Sequence, residues 1–117
     1  MKALIVDDNS LIRGVIRTFL EELQHEVLGE EENGDDAIRS FTALRPDLVL
    51  LDMVIPGKTG MEVLEEIRKI DPKAKVLVIT ALEQECLDKD LLQKGAAAIL
   101  RKPFTLAEFK AAVLSVV

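Results

Sequence analysis

A chain of 117 residues, 49% apolar and 31% charged, has the make-up of a single globular domain with one packed core. The formal net charge of −6 argues against broad binding to nucleic acid or an anionic membrane, and four Phe without any Tyr or Trp argue against base-stacking surfaces and aromatic cages. Cys86 is the only cysteine, which excludes an intramolecular disulfide or a thiolate metal cluster and fits a reducing cytoplasm; no apolar run is long enough to expect a signal peptide or a bilayer span.

In chain order, Lys2 to Val6 is a short apolar run that stops at Asp7-Asp8-Asn9-Ser10, a polar turn rich in helix-capping residues. Leu11, Ile12, Val15, Ile16, Phe19, Leu20 and Leu23 then recur at helical spacing, with Arg13, Arg17, Glu21 and Glu22 opposite, so a strand is followed by a helix. Gly14 inside that helix costs on the order of 1 kcal/mol against Ala, with close packing as the one reason in view. His25 is expected in the loop that follows. Glu26 to Glu30, of mixed polarity, suits a strand at a sheet edge. Asn33-Gly34-Asp35-Asp36 opens a second helix with Ala37, Ile38, Phe41 and Leu44 inward, ended by Arg45-Pro46.

Asp47 to Leu51 is the third strand, apolar enough to be buried on both faces, and it ends on Asp52. Thr59-Gly60-Met61-Glu62 has capping-box spacing and opens a third helix through Val63, Leu64, Ile67 and Ile70, closed by Asp71-Pro72. Lys75 to Ile79 is the fourth strand, ending on Thr80-Ala81. A fourth helix is expected from about Glu83 to Lys94 with Leu87 and Leu91 buried and Gly95 as its stop. Ala96 to Arg101 is the fifth strand, ending on Lys102-Pro103, and Thr105-Leu106-Ala107-Glu108 repeats the capping-box spacing before a last helix through Phe109, Ala112, Val113 and Val116. Strands and helices alternate with short connections throughout, which predicts an α/β doubly wound, five-stranded parallel sheet with five helices.

Right-handed crossovers put every strand's C-terminal end on one edge, where such sheets bind ligands. The residues that follow the strands gather there: Asp7 and Asp8, Asp52, Thr80 and Lys102. An acid at a strand mouth can be a metal ligand, a nucleophile or a helix cap. Three carboxylates in one crevice repel one another unless positive charge sits among them, and Lys102 supplies one charge. The remainder calls for a hard cation with oxygen ligands, best Mg²⁺; His25 and Cys86 are each alone, so zinc and copper are excluded. A cation, a lysine, a hydroxyl and a carboxylate facing one point can stabilise a transferring phosphoryl group, with Asp52 as the nucleophile that forms an acyl phosphate.

Val6-Asp7-Asp8, Leu51-Asp52-Met53-Val54-Ile55-Pro56-Gly57 with Gly60, Ile79-Thr80-Ala81 and Arg101-Lys102-Pro103-Phe104 resemble, in this order and spacing, the signature of bacterial two-component response-regulator receiver domains, chemotaxis regulators among them. The resemblance covers essentially residues 1–117. It implies the flavodoxin-like strand order 2-1-3-4-5. It further implies Asp52 as phosphoacceptor, Mg²⁺ on Asp8, Asp52 and the Val54 carbonyl with Asp7 assisting through water, and Thr80 and Lys102 on the phosphoryl oxygens. A cis Lys102-Pro103 peptide is expected on the same ground. The implied donor is a sensor histidine kinase or a small acyl phosphate. The implied partner is a downstream protein or a C-terminal output domain, reached through the surface of helix four, strand five and helix five. No direct contact with nucleic acid or membrane is expected, and the chain would be a cytoplasmic monomer or a phosphorylation-dependent homodimer that modifies itself and turns over no separate substrate.

Two departures matter. Ile99 stands where the family usually has an aromatic switch residue, so the customary ring flip is not available. Val54 and Leu82 occupy the positions that tune phosphoryl lifetime, and being apolar they cannot orient an attacking water. Val54 also counts against an Asp-x-Asp phosphotransferase, which wants a second acid there. A flavin-binding domain would place its phosphate against Asp7-Asp8, which would repel it. A receiver-like module that binds without being phosphorylated would be expected to lack one of the acids or the lysine. The bland alternatives are that Asp7-Asp8 caps the first helix and that Thr80 is an ordinary loop hydroxyl; Met53, Met61, Cys86 and His25 read as packing or surface residues.

Overall fold

The structure, a computed structural model, describes residues 1–82 and 85–117. Its elements run β1 (Lys2–Val6), α1 (Ser10–Glu22), β2 (Glu26–Glu31), α2 (Gly34–Leu44), β3 (Leu48–Leu51), α3 (Gly60–Ile70), β4 (Lys75–Thr80), α4 (Glu85–Gln93), β5 (Ala98–Arg101) and α5 (Leu106–Val116). The strands form one parallel sheet in the order β2-β1-β3-β4-β5, so both the alternation and the expected strand order are present. The expected helix start at Glu83 and the reading of the Cys86 side chain lie outside what the structure describes.

The period of two along each strand divides the core. Leu4, Val6, Val49, Leu51, Val76 and Val78 face one layer, completed by Phe41 of α2, Val63, Leu64 and Ile67 of α3, and Leu91 of α4. Ala3, Ile5, Leu48, Leu50, Leu77 and Ile79 face the other, under Ile16 and Leu20 of α1 and Phe109 and Val113 of α5. All four residues of β3 are buried, as its apolar run requires, whereas β2 at one edge is half-buried beyond its exposed first residue, Glu26. Each of these fully buried large side chains contributes roughly 1.5–3 kcal/mol over leaving it exposed. Beneath the loop after β5, Phe104 stacks on Phe109 at 5.7 Å between ring centroids, and Phe19 meets both edge-on.

Local chemistry explains the ends. Both capping boxes are present, Thr59 with Glu62 and Thr105 with Glu108. α1 is capped by Asn9, whose side chain accepts from the N–H groups of Leu11 and Ile12, so the cap is neither Asp7 nor Asp8. β5 begins at Ala98 rather than Ala96 because Ala96 N–H donates to the Leu91 carbonyl and closes α4, with Gly95 at φ +106° making the turn. β3 begins one residue later than Asp47, an exposed residue whose carboxylate accepts from Lys2 N–H. Gly14 is a correction: it is exposed, and a Cβ built there would meet nothing within 4 Å, so close packing does not account for it. His25 lies in the loop after α1 with Nδ1 2.9 Å from the Met1 amine. Met53 is core and Met61 packs against it. Among the described residues no helix is long and apolar enough to cross a membrane.

Candidate functional site

The parallel sheet delivers Asp7, Asp52, Thr80 and Lys102 to one edge, and backbone hydrogen bonds tie them across it. Asp7 N–H donates to the Glu31 carbonyl at 3.0 Å, Asp52 N–H to Val6 at 2.9 Å, and Lys102 N–H to Thr80 at 2.9 Å. The turn after β3 is tight because α3 starts directly against it. A Cβ on Gly60 would lie 2.6 Å from Met53 Cα and 2.9 Å from the Asp52 carbonyl oxygen, so only glycine fits. The Lys102-Pro103 peptide is cis, as expected.

Lys102 reaches across the sheet edge. Its Nζ donates to Asp7 Oδ2 at 2.6 Å and to Asp52 Oδ2 at 3.2 Å. Asp7 and Asp52 are buried, at 1% and 8% exposure, while Asp8 is open to solvent. One carboxylate oxygen from each of Asp7, Asp8 and Asp52 lies within 4.8 Å of the others. Asp7 Oδ1 accepts from Asn9 N–H at 2.9 Å, and Asp52 Oδ1 from Val54 N–H at 3.4 Å. Burial pushes the Asp52 carboxyl above its ordinary pKa; the Lys102 charge pulls it back, the Asp7 charge adds to the rise, and the net shift is upward. Burial likewise works against the Lys102 ammonium, but its hydrogen bond to Asp7 and the charges of Asp52 and Asp7 outweigh it and hold its pKa up.

Three carboxylates share one lysine charge, which leaves a local excess of negative charge facing solvent at Asp8. The donor set is all oxygen, without His or Cys, and suits a hard divalent ion such as Mg²⁺. The residues present therefore fit the expected metal. Thr80 is buried at the end of β4, between the strands that carry Asp52 and Lys102, and its Oγ1 accepts from Leu82 N–H at 3.1 Å. Val54 is 61% exposed, and its backbone N–H turns in toward Asp52. Ile99 is not at the pocket. It sits in β5 opposite Val78, half-buried in the layer that Leu82 and Leu87 also join. Arg101, two residues on, pairs with Asp88 of α4.

One residue at this edge was not anticipated. Arg13, read as solvent-facing, has a side chain only 16% exposed, and its Nη1 donates to the Asp7 carbonyl oxygen at 2.6 Å. The signal available in the sequence was its place in the first turns of a helix that begins directly after the acidic loop, where a long side chain folds back over that loop.

Residues 3–114 match the family model described as response regulator receiver domain. The chain is 38% identical over 104 residues to the chemotaxis protein CheY of Listeria monocytogenes, covering 89% of this chain and 87% of that protein. It is 33% identical over 114 residues to the response regulator GacA of Pseudomonas syringae, covering 97% of this chain and 53% of that protein. Among solved structures, a chain of the CheX-CheY-BeF3-Mg²⁺ complex from Borrelia burgdorferi superimposes with a TM-score of 0.96 at 30% identity, over 99% of this chain and 88% of that one.

Proposed function

We propose that this chain, which belongs to the response regulator receiver domain family of two-component signalling, is a phosphorylation-dependent switch in which residues 1–117 act as one domain and Asp52 accepts the phosphoryl group. The observation that carries the reading is Lys102 Nζ lying between Asp7 and Asp52 with the Asp8 carboxylate at the same edge. That is a carboxylate nucleophile beside a fixed cation in a pocket of excess negative charge. Mg²⁺ would be held by Asp8, Asp52 and the Val54 carbonyl, with Asp7 assisting, and would supply the charge that lets an anionic phosphoryl group approach.

A carboxylate oxygen of Asp52 attacks phosphorus as the bond to the donor breaks. The donor is a phosphohistidine of a sensor kinase or a small acyl phosphate, and the leaving group departs with the bonding electron pair. Lys102 faces the charge on the transferring oxygens, and Thr80 gives its hydroxyl to another of them. The Thr80 oxygen that would donate there now accepts from the Leu82 N–H at 3.1 Å, so drawing the hydroxyl toward Asp52 would stretch or release that bond. Releasing that bond links the pocket to the loop before α4, and through Ile99 and the Arg101–Asp88 pair to the surface of α4, β5 and α5. That surface is what a downstream protein or an attached output domain would read. Receiver domains act as signalling switches, and no separate substrate is turned over on this reading.

Intact mass measured after incubation with acetyl phosphate, with and without Mg²⁺, on wild type and Asp52→Ala tests this. One added phosphoryl group that requires both Mg²⁺ and Asp52 is expected. An adduct that survives Asp52→Ala, or no adduct from either acetyl phosphate or a phosphohistidine donor, would overturn it. Followed over time, the adduct should persist, because the side chains of Val54 and Leu82 carry no polar atom to orient water; loss within seconds would contradict that.

A further inference from the structure

We infer that Arg13 is a positioning residue for the divalent cation: its guanidinium holds the peptide that joins Asp7 to Asp8 and thereby aims the Asp8 carboxylate, with Glu30 holding the arginine. The inference rests on the reading of the pocket as a Mg²⁺ site.

Asp8 is the member of the acidic trio that the rest of the protein grips least. It is exposed, and its carboxylate has no hydrogen bond or ion pair among the described residues. Where that carboxylate points is set by the two peptide units that flank its Cα. The peptide after it is held through Asn9 N–H, which donates to Asp7 Oδ1 at 2.9 Å. The peptide before it is held through the Asp7 carbonyl oxygen, which accepts from Arg13 Nη1 at 2.6 Å. Because a peptide unit is planar, fixing that oxygen also fixes the Asp8 nitrogen and the direction in which its Cα leaves. The two holds differ in kind. The first depends on the Asp7 carboxylate, which the cation would itself attract, whereas the second draws on a backbone carbonyl and a side chain outside the acidic trio.

Arg13 is in turn fixed from behind. Glu30 stands opposite Ile5 in the sheet register, on the face that α1 covers. Its Oε1 accepts from Arg13 Nε at 3.1 Å and its Oε2 from Arg17 Nε at 2.6 Å. Arg17 thus shares the helix and the glutamate but makes no hydrogen bond or ion pair to Asp7 among the described residues, which makes it an internal control. A planar guanidinium can serve the carbonyl and the carboxylate at once; a lysine ammonium is a point charge on a flexible stem. Glu30 also balances part of the arginine's positive charge, which would otherwise oppose a cation nearby.

Geometry and charge therefore predict opposite signs. If Arg13 acts by positioning, removing it weakens Mg²⁺ binding. If it acts only as a nearby positive charge, removing it strengthens binding. Mg²⁺ demands near-octahedral geometry whereas Ca²⁺ tolerates irregular shells, so a misaimed Asp8 should cost Mg²⁺ more than Ca²⁺.

The test is calorimetric titration of Mg²⁺ and of Ca²⁺ into wild type, Arg13→Ala, Arg13→Lys and Arg17→Ala, with urea unfolding in chelator to establish that each variant folds. Arg13→Lys keeps the aliphatic stem and serves should Arg13→Ala not fold. Expected are a Mg²⁺ Kd raised about tenfold in both Arg13 variants, in line with losses at residues that orient metal ligands, a smaller rise for Ca²⁺, and an Arg17→Ala Kd close to wild type. Unchanged or tighter Mg²⁺ binding in Arg13→Ala overturns the inference, as does full rescue by lysine or an equal loss in Arg17→Ala. A wild type that binds no Mg²⁺ overturns both the inference and the reading of the site; wild-type binding with Arg13 indifferent overturns the inference alone.

Discussion

On the β1 side of the pocket, Asp7 is engaged at each of its four polar atoms: its N–H by Glu31, its carbonyl by Arg13, one carboxylate oxygen by Asn9 N–H and the other by Lys102. On the β4 side, Thr80 offers its hydroxyl to the N–H of a residue two along the same loop, and its carbonyl to Lys102 N–H. Beyond it, α4 meets β5 through Asp88 and Arg101, a pair about one-third exposed on each side, in which Asp88 Oδ1 is buried without a hydrogen-bond partner among the described residues. Both sides are made from the ends of parallel strands, yet on one Asp7 is cross-braced from three other elements, whereas on the other the Thr80 side chain is tied, among the described residues, only within its own loop. The braced side carries the acids, whose relative placement a small octahedral ion would feel. The lightly tied side chain is that of Thr80, the one the proposed switch would draw toward Asp52.

The contrast breaks most severely at Lys102, which bonds to both halves, through Nζ to Asp7 and through its N–H to Thr80. Lys102→Met would leave two buried carboxylates facing each other and should lower stability in chelator by on the order of 3 kcal/mol, measured by urea unfolding, with much of the loss recovered in excess Mg²⁺. No recovery would mean that the lysine's role is packing rather than charge. A smaller change of opposite sign is expected for Asp52→Asn. The folded pKa of Asp52 is raised, so the folded state binds the extra proton and stability falls as pH rises through the interval between the ordinary carboxylate pKa and the raised one. Removing the charge should therefore raise the thermal midpoint at neutral pH in chelator; a lower midpoint would contradict the balance of burial and charge described above.

Gly14→Ala sharpens the comparison from outside the pocket. With open space for the methyl group, it should stabilise α1 by about 1 kcal/mol and leave phosphoryl incorporation unchanged. A loss of incorporation would tie α1 directly to donor access. The smallest effect belongs to the β4 side: Asp88→Asn should cost about 0.5 kcal/mol, as for a partly exposed ion pair. It should quicken amide exchange in α4 while leaving the Asp7–Asn9 turn as protected as before. Equal quickening at both places would show that the two sides are not separately held.

The alternation of elements, both capping boxes and the helix stop at Gly95 were legible because each rests on local chemistry: apolar period, cap residue, a left-handed turn. The gathering of Asp7, Asp8, Asp52 and Lys102 was legible too, since parallel crossovers bring strand ends together whatever the intervening helices contain. Arg13 was not, because its partners are a backbone carbonyl and Glu30, a residue 17 positions on in another strand; helical periodicity assigns such a residue to the solvent side. Asn9 took the capping role that Asp7-Asp8 could have filled, because a cap must sit directly before the first helical turn, and that leaves both acids for the pocket. Gly14 marks the opposite limit, since nothing in the structure explains why a glycine stands there.

Lys102 also determines how the pocket meets an ion. Its ammonium is a counterion that the chain carries with it, tethered between Asp7 and Asp52, so its local concentration does not depend on supply. A divalent ion arriving at Asp8 joins a site whose carboxylates are already partly compensated and in register. On the proposed reading, loading resembles ion exchange at the surface of a preformed resin more than folding around a metal. Its pace is then governed by how quickly the ion sheds water, and its extent by how much free cation the surroundings provide.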